Sequence, residues 1–125
     1  MLLAAIARGQ VTLLPPATTP NVIRALRDFA PDAYLVADDP TLDVEMPRFD
    51  LAEVGHARAW VEAPRIPADR EVACLFTSGS TGAPQPSFKT WGALVHDVRA
   101  EAARFAIGPG HAVLGTVPPH HRYGF

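Results

Sequence analysis

The sequence has 125 residues, of which 48% are apolar and 19% are charged. That length suits one small domain, and the composition is typical of a globular protein rather than a disordered one. The formal net charge is -2, and no run of Lys and Arg supplies the clustered positive charge that nucleic-acid binding needs. We therefore expect no nucleic-acid partner.

The sequence also predicts a cytoplasmic protein without a membrane segment. No apolar run approaches the roughly 20 residues that span a bilayer, and the first residues lack the pattern of a secretory signal. The single cysteine, Cys74, has no partner for an internal disulfide. Its neighbours are apolar residues of a predicted strand, which indicates a buried, unreactive thiol.

A short helix and a strand are predicted at the start of the chain. Residues 2–6 place apolar side chains on one helical face, and Gly9 follows where a helix typically ends. Residues 11–14 form a compact apolar run before two prolines, a pattern typical of a buried strand.

A second helix and a second strand come next. Thr19 and Pro20 suit the start of a helix, and Pro31 stops it. Residues 33–37 then predict a strand. A strand, a helix and a strand joined by short connections form a right-handed parallel βαβ unit in nearly all known cases, so we expect one within residues 1–37.

Residues 38–70 predict a surface connector, because acidic residues and prolines replace the periodic pattern and only 51–56 are weakly helical. In the last region, 71–125, residues 72–77 predict a third strand and 112–117 a fourth. Between these strands, a helix is predicted from a stripe of apolar residues: Leu94, Val95, Val98, Ala102 and Phe105. The expected fold class is α/β, with a partial, mostly parallel sheet and flanking helices, forming part of a larger domain.

The most informative segment follows the third predicted strand, where residues 76–84 read Phe-Thr-Ser-Gly-Ser-Thr-Gly-Ala-Pro. Glycines let the backbone approach an anion closely, and small hydroxyl side chains add hydrogen-bond donors. A Walker A loop is excluded because Pro84 and Gln85 stand where that pattern needs glycine and lysine. The alternative is an ordinary loop rich in turn residues.

This segment resembles the signature T-S-G-S/T-T-G-x-P-K of the AMP-binding, adenylate-forming enzymes, which include acyl-CoA synthetases. In that family the loop holds the β- and γ-phosphates of ATP while a carboxylate attacks the α-phosphorus. The resemblance assigns ATP binding to the following positions: Thr77, Ser78, Gly79, Ser80, Thr81 and Gly82.

One position departs from the signature, because Gln85 stands where the family usually has lysine. An amide supplies neutral donors in place of a point charge, which predicts weaker phosphate binding. Lys89 is close enough in sequence to be a candidate substitute. It is equally typical of a surface lysine without a role.

The end of the chain matches P-x-x-H-x-x-G, with Pro118, His121 and Gly124 in register, and resembles a second motif of acyl-CoA synthetases. The resemblance implies that this turn lines the acyl pocket, so His121, Tyr123 and Gly124 are predicted pocket residues. A histidine that only packs a strand end is the alternative. His120 would point away from His121 on a strand, so we expect no metal site here.

The resemblance extends over nearly all of the chain but covers an internal slice of the family's N-terminal domain. For the full-length enzyme it implies ATP, Mg2+, a carboxylic acid and either CoA or an acyl carrier protein, with the Mg2+ ligands elsewhere. We therefore expect a fragment of an acyl- or aryl-acid AMP ligase that is inactive alone. Two alternatives remain: a non-catalytic nucleotide- or anion-binding module, and a structural fragment that forms homo-oligomers through exposed sheet edges.

Overall fold

A computed structural model describes residues 1–37, 44–50, 63–77, 85–117 and 125. Within these ranges no helix is long and apolar enough to cross a membrane. The described elements, in chain order, are α1 (Leu2–Ala7), β1 (Thr12–Leu14), α2 (Pro20–Phe29), β2 (Leu35–Ala37), β3 (Arg48–Asp50), β4 (Glu71–Thr77), β5 (Gln85–Thr90) and α3 (Trp91–Arg104). This mixture confirms the α/β class with a small, mainly parallel arrangement of strands and flanking helices.

The described chain divides into two compact units, one formed by Met1–Pro16 with Pro64–Phe125 and the other by Ala17–Ala63. The first unit holds a three-stranded sheet in the order β1-β4-β5, with β1 parallel and β5 antiparallel to β4. Its core is the middle of β4, where Val72, Ala73, Cys74 and Leu75 are at most 3% exposed. Ile6 of α1 is also buried.

The expected end of α1 is confirmed at Gly9. Its φ is 74°, a left-handed conformation that glycine adopts without the steric cost of a side chain. The Gly9 N–H donates to the Ile6 carbonyl at 3.0 Å and the Gln10 N–H to the Ala5 carbonyl at 2.9 Å. These two bonds satisfy carbonyls that the end of a helix leaves open.

In the second unit α2 forms where the sequence predicts it. Ile23 and Leu26 are its buried residues, and Thr19 precedes it in an extended conformation without a side-chain capping bond. The parallel pair β2 and β3 lies in the same unit. Beside this pair, the Tyr34 and Phe49 rings meet edge to face with centroids 5.0 Å apart.

The first two strands both pair in parallel with later strands. β1 pairs with β4 in the first unit, and β2 pairs with β3 in the second. The βαβ unit expected within residues 1–37 stays a prediction, because its two strands belong to different units. β3 itself lies inside the predicted connector, and the weak helical pattern at 51–56 lies outside the described residues.

The C-terminal region differs from the prediction in two places. The polar segment Gln85–Thr90 is a strand that the sequence pattern missed. Residues 112–117, predicted as a strand, have no regular structure, and Leu114 is 87% exposed. All six residues are exposed, so burial of side chains does not stabilise this segment as a strand.

The predicted third helix is confirmed and begins earlier, at Trp91. Thr90 caps it, since its hydroxyl accepts a hydrogen bond from the Ala93 N–H at 3.3 Å. The apolar stripe is not a core in the described structure, because Val98 is 64% and Phe105 71% exposed. The periodicity therefore predicts the helix correctly but not its burial.

The start of α3 lies against the turn that precedes β4. The Trp91 N–H donates to the Arg70 carbonyl at 2.8 Å, and the Gly92 N–H donates to the Ala68 carbonyl at 2.7 Å. A Cβ at position 92 would lie 2.8 Å from that same carbonyl oxygen. This contact leaves room for glycine only.

We expect Gly92→Ala to lower the free energy of unfolding by about 1 kcal/mol or more. The added methyl group would clash with a backbone oxygen that cannot rotate away, and overpacking of this kind costs about 1–3 kcal/mol. Alanine has the higher helix propensity, but at the first turn this gain is less than about 1 kcal/mol and does not offset the clash. Urea denaturation measures the difference. Gly110→Ala is the matched control, because a Cβ there meets nothing within 4 Å. Equal stability of the two variants would contradict the packing argument.

Candidate functional site

The predicted phosphate loop joins two antiparallel strands. β4 ends at Thr77 and β5 begins at Gln85, and these two residues are cross-strand partners. The seven residues 78–84 between them lie outside the described residues. The segment therefore connects the two strands of a hairpin. The order of the predicted elements had placed a helix directly after it, but β5 comes between the segment and α3.

Among the residues assigned to ATP binding, the structure places Thr77 at the end of β4 and Lys89 near the end of β5. The remaining predicted positions lie in the undescribed stretch and stay predictions: Ser78, Gly79, Ser80, Thr81 and Gly82.

Lys89 lies further along β5 from Thr77 than Gln85 does. It pairs with Ala73, four positions along β5 from Gln85. Because a strand rises about 3.3 Å per residue, its Cα lies about 13 Å further along the strand than that of Gln85. Gln85 is thus the β5 residue placed next to the loop. The alternation of Pro86 and Phe88 with polar residues is the signal that would have revealed this strand.

The neck of the hairpin carries no formal charge, because its described residues are Phe76, Thr77, Gln85 and Pro86. None of these four residues therefore offers a cation to an anion at this end of the sheet.

Cys74 lies at the centre of β4 and is fully buried, as predicted. Burial raises the pKa of its thiol above the ordinary value, and the negative charge of Glu71 raises it further. A backbone hydrogen bond from Ser87 acts in the opposite direction. Because the thiolate is the reactive form, this cysteine is suited to packing rather than to nucleophilic chemistry.

The second predicted motif stays untested by the structure, because His121, Tyr123 and Gly124 lie outside the described residues. The residues just before it, 112–117, are exposed. Across the ranges that the structure describes, no group of three His, Cys, Asp or Glu is arranged to hold a metal ion.

Comparison with known proteins gives a partial match. The chain is 49% identical to the 4-coumarate--CoA ligase of Halorhodospira halophila over 49 residues, which are 39% of this chain and 12% of that protein. It is 42% identical to the 4-coumarate--CoA ligase of Rhodobacter capsulatus over 54 residues, 42% of this chain and 14% of the relative. No family model and no solved structure matches. The similarity supports a relation to AMP-binding ligases over part of the chain.

We expect the stability of the protein to fall as the pH rises above the ordinary pKa of a thiol. In that range the unfolded Cys74 ionises at about 8.5 while the folded thiol, whose pKa is raised, keeps its proton. The unfolded state then binds fewer protons, so the free energy of unfolding decreases up to the folded pKa. Urea denaturation from pH 7 to 10 measures this slope.

Cys74→Ala is the control, because it removes the titrating thiol while leaving all other groups in place. Its stability should fall less steeply over the same pH range, although it starts lower because of the lost side-chain volume. Identical slopes for the two proteins would show that the thiol is not protected from ionisation.

Proposed function

We propose that this chain is part of an ATP-dependent acyl- or aryl-acid AMP ligase and that Thr77 to Gly82 hold the ATP phosphates. The supporting structural observation is the hairpin, which pairs Thr77 with Gln85 and so holds both ends of the glycine and hydroxyl-rich segment. The partial identity with two 4-coumarate--CoA ligases supports the same family. On this proposal residues 1–125 form one partial AMP-binding domain.

The proposed reaction has two steps. A carboxylate oxygen of the acid attacks the α-phosphorus of ATP, the bond to the β-phosphate oxygen breaks, and an acyl adenylate and pyrophosphate form. A thiol of CoA or of an acyl carrier protein then attacks the acyl carbon, and AMP leaves. In the first step negative charge shifts onto the departing pyrophosphate.

The role of this chain is to stabilise that charge. Backbone N–H groups and the hydroxyls of Thr77, Ser78, Ser80 and Thr81 would donate to the β- and γ-phosphate oxygens, in the manner of an oxyanion hole. The buried strand β4 fixes one end of the loop and its pairing with β5 fixes the other. Preorganised donors lose little free energy to reorientation during the reaction.

On this proposal Mg2+ would be bound by residues elsewhere in the full-length enzyme, since the described residues hold no cluster of His, Cys, Asp and Glu fitted to a metal ion. For the acid we propose a pocket wall formed by His121, Tyr123 and Gly124. A cytoplasmic location is part of the same proposal.

A second candidate is a non-catalytic nucleotide- or anion-binding module. The observation that favours it is the neutral Gln85 beside Thr77, since a neck without a cation is suited to weak anion binding more than to stabilising a leaving pyrophosphate. Self-association through the sheet edges formed by β1 and β5 is a third possibility of a structural kind.

We expect Gln85→Lys to increase the affinity for ATP about three- to tenfold, because a charge-assisted hydrogen bond to phosphate is stronger than a neutral one by roughly 1 kcal/mol. Lys89→Ala should change the affinity less than twofold, since its position lies about 13 Å further along the strand. Isothermal titration calorimetry with ATP measures both. A large loss in Lys89→Ala with no gain in Gln85→Lys would identify Lys89 as the phosphate-binding cation.

We also expect no carboxylate-dependent exchange of pyrophosphate into ATP by this chain alone, because the reaction needs positioned groups from several elements at once. The assay uses radiolabelled pyrophosphate with a panel of acyl and aryl carboxylic acids. Robust exchange would overturn the expectation of an inactive fragment. Saturable ATP binding without exchange would support the proposal that the loop binds the ATP phosphates. If ATP does not bind, the self-associating structural fragment is favoured instead.

A further inference from the structure

A groove of about 540 Å3 lies beside α3, the helix that follows the Thr90 end of β5. Its walls come from the turn before β4, which contributes Ile66 and Ala68, and from one side of the helix. Pockets of 300–1,000 Å3 are the usual size for small-molecule sites. No role in the proposed adenylation chemistry uses this groove.

The helix spacing gives the groove its length. Trp91, Val95 and Arg99 recur every four residues, so they line one side of α3. With a rise of 1.5 Å per residue, eight residues span about 12 Å. At the start of the helix, Gly92 packs closely against Ala68, where an added Cβ would lie 2.8 Å from the Ala68 carbonyl oxygen. The groove is therefore long enough for a fused ring with a polar substituent.

The two ends of the groove differ in chemistry. Ile66, Trp91 and Val95 are half-buried and apolar, which suits a flat hydrophobic body. Arg99 lies at the other end and carries a permanent positive charge. Among the described residues that line the groove, none carries a carboxylate that would neutralise this charge.

Two other features are unsuited to holding an anion. His96 also lines the groove, but its Nδ1 lies 3.6 Å from the Asp97 carboxylate, whose negative charge would repel an anion there. The first N–H groups of α3 donate to the carbonyls of Arg70 and Ala68 and are not available. The charge complementarity of the groove therefore depends on Arg99.

We propose that this groove binds a small amphipathic anion, with its flat apolar body against Trp91 and Val95 and its anionic group at Arg99. The proposal is independent of ATP binding by the hairpin loop. A ligand of this groove needs an apolar ring system that lies against Trp91. It also needs a negative charge at least about one helix turn further along α3, where Arg99 lies.

The test uses two matched fluorescent probes, anilinonaphthalene sulfonate and its neutral analogue N-phenylnaphthylamine. In a Trp60→Phe background Trp91 is the only tryptophan, so energy transfer from it reports binding near the groove. We expect saturable binding of the sulfonate at one site. The neutral analogue should bind at least about tenfold more weakly, because it lacks the group that pairs with Arg99.

The decisive variant is Arg99→Gln, with Arg104→Gln as its control. Both arginines are exposed residues of α3, so neither change should unfold the protein, but Arg104 does not line the groove. Arg99→Gln should weaken sulfonate binding about tenfold and leave the neutral probe unchanged, and Arg104→Gln should alter neither.

Three results would overturn the proposal. The first is equal affinity for the two probes, and the second is an equal effect of the two arginine variants. The third is binding at many sites without saturation, which would show general adsorption to exposed apolar residues such as Val98. If the protein self-associates with concentration and releases the sulfonate probe as it does so, a second copy is the occupant instead.

Discussion

Burial of β4 is the constraint on which the rest of the first unit depends. Its four central residues are at most 3% exposed, and both of its edges are paired. One end of the strand leads into the glycine-rich segment, and the turn at its other end accepts hydrogen bonds from the start of α3. A single apolar strand therefore positions both the candidate phosphate site and the helix that forms the groove.

The strands of the β4–β5 hairpin and the segment between them have different physical roles. The strands provide a fixed frame, because their backbone groups are satisfied by pairing, and Thr77 and Gln85 meet at its end. The segment between them provides glycine and hydroxyl chemistry. Holding phosphates is only one part of an adenylation site, and the matched stretches span 12% and 14% of the two ligase relatives. Preorganisation by several elements is what converts such a frame into catalysis.

Local patterns predicted the elements whose signals are complete within a few residues. Gly9 ended α1, Pro20 began α2, and the apolar run of β4 was identified by composition alone. The prediction failed where pairing decided the outcome. The strand Gln85–Thr90 was not predicted, because most of its residues are polar, and 112–117 was predicted as a strand although its residues are exposed.

The sequence by itself determined the α/β class, the helices and the glycine- and hydroxyl-rich composition of residues 77–82, because these follow from backbone preference and side-chain chemistry over short distances. Only the tertiary structure decided that β1 pairs with β4, that Gln85 and not Lys89 lies beside Thr77, and that Arg99 completes an apolar groove. Those arrangements depend on which surfaces bury one another across long separations in sequence. Short-range patterns do not contain that information, as the exposed stripe of α3 shows.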